Sequence, residues 1–198
     1  MRRTLVSATA GLVTLVTAAL LVVQEGDPAT AHQPAESTRA AVALAPERSE
    51  PTDRTVGSPR RVVIPAIGVE EKLHGVGLSD DGAMEMPGYG DAAWYDEGPR
   101  PGSDGPAVIV AHVRGPQGAD VFRDLDELAA GDVITTVDTL GSTRFVVDRV
   151  EQVDKDALPY DRIWQASDEP LLRLITCAGT PGPNGFPDNT VVYAHAID

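Results

Sequence analysis

The stretch LLRLITCAGTPG, residues 171–182, leads from an apolar segment into the only cysteine of the chain, Cys177, and then into a turn rich in glycine and proline. The apolar residues before the cysteine are typical of a buried strand. A free cysteine in such a strand commonly acts as a small apolar group. A cysteine where a strand opens into a loop can also serve as a nucleophile, and the remaining sequence has to distinguish these two interpretations.

The composition excludes several classes of protein. A length of 198 residues suggests one domain with appendages. One cysteine excludes an internal disulfide and a cysteine-based zinc site. Residues 1–60 carry 6 basic and 6 acidic side chains, so the net charge of −14 lies in residues 61–198, which should repel a phosphate backbone. We therefore expect no nucleic-acid partner, and the absence of EF-hand-like spacing predicts no metal site; no cofactor motif is present.

The amino-terminal region has the features of a membrane segment. Arg2 and Arg3 precede an uncharged run that begins at Leu5 and ends at Val23, which is long enough to cross a bilayer core of about 30 Å as a helix. A cleavable signal usually has a shorter apolar core. Residues 26–58 are rich in small and polar residues without an apolar period. We predict a signal-anchor, or alternatively a signal peptide, over residues 1–25, a flexible extracytoplasmic tether over 26–58 and a folded domain over 59–198.

Short strands dominate the pattern of this domain. Segments enriched in β-branched residues recur and are separated by turn residues. Eight such segments within about 140 residues indicate a barrel or a sandwich. The predicted strands are residues 61–64, 73–78, 92–95, 107–112, 132–137, 144–153, 171–177 and 190–196. Residues 121–130 and 159–164 are predicted to form one short helix each.

A histidine and the cysteine occupy equivalent positions at strand ends. The two-residue period places Val108, Val110 and His112 on one face of their strand, and His112 ends it as Cys177 ends its own. Neighbouring strands lie about 5 Å apart, so the imidazole and the thiol meet if these two strands pair. The imidazole could then accept the thiol proton and later protonate a leaving amine, while backbone N–H groups after Cys177 bind an oxyanion.

Other residues compete for roles in such a site. His74 and His195 are rival partners that spacing does not exclude, whereas His32 lies in the tether. Three aromatic residues either pack in the core or line a groove: Trp94, Tyr95 and Trp164.

Several segments, in order along the chain, resemble the sortase family. LITC at 174–177 is similar to the signature strand that ends in the sortase nucleophile, and VIVAHVRG at 108–115 resembles the strand that carries the catalytic histidine. RVVIPAIGVEEKLHGVGLSDDGAMEMP at 61–87 and AAWYDEGPRPGSDGPAVIVAH at 92–112 resemble actinobacterial class F, or class E/F-like, sortases. With DNTVVYA at 188–194, the resemblance covers residues 61–198 almost without a gap.

The resemblance implies a mainly β fold, a single eight-stranded sortase-type barrel with one or two short helices, and a cysteine transpeptidase. Cys177 would attack an L-P-x-T-G-like sorting signal of a surface protein and form a thioacyl intermediate, with His112 as acid and base. A peptidoglycan precursor or a pilin lysine would supply the acceptor amine. The implied location is a single-pass cell membrane anchor, through the run from Leu5 to Val23, with the catalytic domain outside a Gram-positive, actinobacterial cell.

The last strand departs from the family pattern. Sortases carry an arginine near its start, but no arginine follows Cys177, and Asn189 takes that place with a donor that has no charge. Thr176 and Arg114 are further candidates for oxyanion binding or substrate positioning, whereas Arg173 lies about 13 Å along the strand from Cys177. This departure keeps two alternatives open: a membrane-tethered barrel that binds a peptide without turnover, and a cysteine hydrolase that uses water.

Overall fold

The computed structural model describes residues 55–80, 82–183 and 185–197. The predicted membrane segment over 1–25 and most of the predicted tether over 26–58 lie outside these ranges. No helix within these ranges is long and apolar enough to cross a bilayer.

Eight strands close into one barrel, as the sequence predicted. Over the described ranges the strands are β1 (Pro59–Ile64), β2 (Val69–Val76), β3 (Ala92–Tyr95), β4 (Gly105–Ala111), β5 (Arg114–Gly115), β6 (Gly118–Ala119), β7 (Val133–Asp138), β8 (Ser142–Asp154), β9 (Pro170–Ala178) and β10 (Asp188–Ile197). The order around the barrel is β1-β2-β3-β4-β9-β10-β8-β7, and β5 pairs with β6 in a separate small hairpin that the sequence pattern did not indicate.

Alternating side chains divide the apolar residues between the inside and one outer face of the barrel. Large residues at alternate positions fill the interior, among them Ile64, Ile109, Phe145 and Leu174. A second cluster covers the outside of β4, β9 and β10, and its buried members are Val76, Ala93, Val108, Val110, Ile163, Val191 and Tyr193. Every residue of β4 is buried because both of its faces are covered. The outer face of these strands is therefore apolar and covered, like the inner one.

The helical content is small. The helix α1 (Tyr160–Ile163) confirms the prediction over residues 159–164. The helix predicted over residues 121–130 is wrong, because only the 3-10 turn Leu125–Glu127 forms there. Phe122, Leu125 and Leu128 are all buried, and their spacing of three is compatible with both helix types, so a 3-10 turn is enough to bury all three.

Two pairings of β9 position the carboxyl end of that strand. β9 runs parallel to β4 in a register that places Val110 beside Ile175. On its other side, β9 runs antiparallel to β10, and Asn189 lies opposite Cys177. β10 also pairs with β8, which places Asp188 opposite Asp154. The start of β10 therefore lies between the ends of β8 and β9.

Candidate active site

The end of the β4–β9 pair brings His112 and Cys177 to the same edge of the barrel. Beyond the last paired residues of the ladder, the Thr176 hydroxyl donates a hydrogen bond of 2.8 Å to the Ala111 carbonyl. This hydrogen bond is buried and ties the two strands together one residue before the histidine and the cysteine. The continued register places His112 at the level of Cys177, on neighbouring strands. The register of β4 and β9 therefore carries the two predicted residues to the same end of two neighbouring strands.

The Cys177 thiol is free and half-buried. It lies on the wall of a small cavity of about 160 Å³ at the end of the barrel, which Phe186 and Arg123 also line. The Lys155 ammonium donates to the Cys177 sulfur over 3.5 Å. The nucleophile candidate is therefore reachable from solvent and has a cation in direct contact.

The hydrogen bond of His112 defines which ring nitrogen can act as a base. Nε2 of His112 lies 2.9 Å from the carbonyl oxygen of Pro87. Because a carbonyl oxygen can only accept, Nε2 carries the hydrogen, and Nδ1 is the basic nitrogen of the neutral ring. The Tyr89 ring packs on the imidazole with a centroid distance of 4.6 Å and an interplanar angle of 38°. These two contacts hold the ring in one orientation.

The Asn189 side chain points to backbone carbonyls. In the amide orientation that satisfies both the side-chain oxygen and the side-chain nitrogen, the nitrogen donates to the carbonyls of Thr176 and Asp188, each at 3.3 Å. Both amide hydrogens are then engaged, and the side chain braces the β9–β10 pair beside Cys177. For Asn189 to donate to an oxyanion, its amide would have to break one of these hydrogen bonds.

An apolar groove reaches this edge of the barrel from one side. It has a volume of about 570 Å³ and is lined by Leu78, Gly82, Ala83, Met84, Met86, Tyr95, Val110, Leu158, Tyr160, Ile163, Trp164, Ile175 and Asn189. Val110 and Ile175 stand two residues before His112 and Cys177, so the groove wall shares their face of the sheet. Tyr95 and Trp164 meet edge to face at 5.5 Å in its wall. Desolvation and the neighbouring Glu97 raise the pKa of Tyr95, which keeps its phenol neutral.

The remaining candidates lie outside the lining of the apolar groove. Thr176 is 3% exposed, and its hydroxyl donates to the Ala111 carbonyl, so this side chain links β9 to β4 and does not line the groove. Arg114 is exposed on β5 and lines a depression of about 500 Å³ that adjoins the Cys177 cavity, since Arg123, Gly179 and Phe186 line both. His74 is exposed on β2, and Nδ1 of His195 contacts a carboxylate oxygen of Asp148 at 2.7 Å.

Arg173 is buried within the outer cluster, away from the groove lining. Its guanidinium lies 4.8 Å from the centre of the Tyr193 ring and donates to the backbone carbonyls of Leu172 and Arg162. Burial lowers the pKa of Arg173, which is the expected effect of desolvating a cation. Trp94 packs in the barrel interior, whereas Tyr95 and Trp164 line the groove.

Sequence reasoning missed Lys155. This residue lies in the 3-10 turn Lys155–Ala157 that follows β8, far along the chain from the cysteine. No periodic pattern or motif marks it, because its approach to Cys177 depends on β10 lying between β8 and β9. Within the described ranges, no group of three His, Cys, Asp or Glu residues could hold a metal ion.

Comparison with known families settles the relationship that this geometry suggests. The sortase domain family matches residues 62–197. The chain belongs to the sortase family. Sortases are cysteine transpeptidases associated with the surface of Gram-positive cells, and this chain is accordingly an enzyme of that kind. No curated protein matches the chain closely enough to be informative.

Solved sortase structures share the fold. The structure is similar to sortase C1 of Streptococcus suis, with a TM-score of 0.57 and 20% identity over 72% of this chain and 74% of that chain. It is also similar to a lid mutant of sortase A from Corynebacterium diphtheriae, with a TM-score of 0.58 and 17% identity over 77% and 74%. Sortase C of Clostridium perfringens SM101 gives a TM-score of 0.53 and 21% identity over 73% and 72%. At these identities the likeness establishes the fold alone.

Proposed function

We propose that this sortase cleaves an L-P-x-T-G-like sorting signal through a thioacyl intermediate on Cys177, with His112 as acid and base, and transfers the acyl group to an amine. The observation that carries the proposal is the pairing of β4 with β9, whose last partners, Val110 and Ile175, line an apolar groove two residues before His112 and Cys177. A free, half-buried thiol in contact with an ammonium suits a nucleophile better than a core residue.

The chemistry proceeds in two acyl-transfer steps. The Cys177 thiolate adds to the threonine carbonyl of the signal, and the His112 imidazolium protonates the leaving glycine amine. An incoming amine then adds to the thioester, the imidazole accepts its proton, and the thiolate leaves. Backbone N–H groups of the turn after Cys177 are the candidate oxyanion donors, and Gly179 at φ +85° permits that turn.

The groove supports a hydrophobic peptide as substrate. Aromatic and aliphatic walls, including Tyr95, Trp164 and Leu158, suit the leucine and proline of an L-P-x-T-G-like segment. Because the groove shares Ile175 and Val110 with the strands of the site, a bound segment can extend toward Cys177. The acceptor is an amine of a peptidoglycan precursor or of a pilin lysine.

The subclass and the location are further parts of the proposal. The class F resemblance of residues 61–87 and 92–112 supports an actinobacterial class F, or class E/F-like, enzyme. The uncharged run from Leu5 to Val23 supports a single-pass anchor, with residues 26–58 as the tether and residues 59–198 as the extracellular catalytic domain.

The test uses the full-length chain in mild detergent, an L-P-x-T-G peptide and triglycine as the amine. We expect a mass adduct on Cys177 that passes to triglycine, no adduct in Cys177→Ala, and a loss of about 10²–10⁴-fold in His112→Ala. His74→Ala is the matched control, because His74 is exposed on β2, and it should retain full activity.

The product distribution separates the competing functions. Preferential hydrolysis at saturating triglycine would identify a cysteine hydrolase. Tight peptide binding without any Cys177 adduct would identify a binding barrel.

A further inference from the structure

The Lys155 side chain is held against the nucleophile by an anchored turn. The Lys155 backbone N–H donates to the Pro187 carbonyl over 3.1 Å, which fastens the turn after β8 to the segment that leads into β10. The Asp154 carboxylate accepts from the Asp156 backbone N–H over 2.8 Å and caps the same turn. Both ends of the turn are thus constrained, and the half-buried Lys155 side chain extends to the Cys177 sulfur.

The sulfur is the acceptor for this ammonium. Among the described residues, Lys155 forms no ion pair with any carboxylate. The nearby carboxylates have other donors: Asp154 accepts from its own turn, and Asp188 accepts from the Gln152 amide over 2.6 Å. A lysine charge without a carboxylate partner remains available to a negatively charged sulfur.

A second cation at this edge of the barrel, Arg123, already has a carboxylate partner. Arg123 lines the cavity beside Cys177, but its guanidinium pairs with Asp124 at 2.6 Å. This hydrogen bond raises the pKa of Arg123 and ties its charge to the carboxylate. Across β10, the residue opposite Cys177 is the uncharged Asn189.

We propose that Lys155 is a catalytic residue that supplies the positive charge beside the Cys177 thiolate. Asn189, which lies opposite Cys177 on the neighbouring strand, is uncharged and cannot supply it. The proposal rests on the proposed function in taking Cys177 as the nucleophile. The ammonium donates a charge-assisted hydrogen bond to the thiolate and none of comparable strength to the neutral thiol. Coulomb attraction at 3.5 Å, fully screened by water, corresponds to about a tenfold preference for the thiolate.

The test measures the thiolate directly and needs no sorting substrate. Full-length wild type, Lys155→Met and Lys155→Arg react with iodoacetamide at neutral pH, and the ultraviolet absorbance of the thiolate is recorded in parallel. We expect about a tenfold slower alkylation and a lower absorbance in Lys155→Met, with recovery to within about threefold in Lys155→Arg. The chain contains one other lysine, Lys72, exposed on β2, so Lys72→Met is the matched control and should alkylate at the wild-type rate.

Two results would overturn the proposal. One is a folded Lys155→Met that alkylates as fast as wild type. The other is an acyl group found on Lys155 after reaction with the sorting peptide, since a lysine must be a neutral amine to accept an acyl group. If Lys155→Met unfolds, Lys155→Gln replaces it. A wild-type protein that forms no acyl-enzyme but still shows Lys155-dependent alkylation would refute the proposed function and support the electrostatic role of Lys155.

Discussion

The hydrogen bond from Thr176 to Ala111 should be worth a measurable part of the stability of the barrel. Thr176 is 3% exposed, and its hydroxyl donates over 2.8 Å to the carbonyl of the last residue of β4. Thr176→Val keeps the shape of the side chain and removes the donor. The loss of one buried hydrogen bond, together with a less satisfied carbonyl, should lower the free energy of unfolding by about 1–3 kcal/mol.

Thr190 offers a matched control for this substitution. Thr190 is also 3% exposed and pairs directly with Thr176 across β9 and β10. Within the part of the chain that the structure describes, its hydroxyl forms no hydrogen bond. Thr190→Val should therefore change the free energy of unfolding by less than about 0.5 kcal/mol.

Urea unfolding of the full-length variants, followed by circular dichroism, measures the difference. We expect Thr176→Val to lower the urea midpoint with an unchanged m-value. Its melting temperature should fall by roughly 3–10 °C. The same variant should lose transpeptidation more than Thr190→Val, because the hydrogen bond holds the strands that carry His112 and Cys177. Equal stability of the two valine variants would refute the reasoning.

Three further predictions concern the turn, the outer cluster and the groove. Both Gly179 and Gly185 have positive φ, but only at Gly179 would an added Cβ lie 2.9 Å from Pro187. In urea titrations, Gly179→Ala should therefore lower the free energy of unfolding by about 1–2 kcal/mol more than Gly185→Ala does. Tyr193→Phe removes a buried hydroxyl that has no partner among the described residues. The free energy of unfolding should stay unchanged or rise by up to about 1 kcal/mol, and a decrease of about 1 kcal/mol or more would contradict this prediction. Burial raises the pKa of Tyr193, so the phenol ionises first in the unfolded chain, and the free energy of unfolding of the wild type falls as the pH rises above about 10. Tyr193→Phe lacks this ionisation and should lose less stability at alkaline pH. Trp164→Ala should reduce kcat/KM for a sorting peptide by about 5–30-fold without changing iodoacetamide alkylation, and an equal loss in both assays would contradict a role limited to the groove.

Strand positions could be predicted because the signals for them are local. Alternation of β-branched residues and turn residues at strand ends predicted all eight barrel strands, and His112 and Cys177 stand out as candidates because each lies where one of the predicted strands ends. The helix predicted over residues 121–130 failed because Phe122, Leu125 and Leu128 suit either a 3-10 turn or an α-helix by spacing. Only packing of these three side chains into the core selects between the two.

The sequence by itself determined the eight barrel strands and the two principal candidates of the site, since each depends on a short stretch of chain, and motifs in order along the chain determined the family. Only the tertiary structure decided which strands are neighbours. The barrel order places β4 beside β9 and β10 beside β8, and those contacts join segments far apart in sequence. Lys155 approaches Cys177 through this order, and Asn189 turns its amide to backbone carbonyls because of the same register. Such contacts follow from closure of the sheet, for which no local pattern of residues exists.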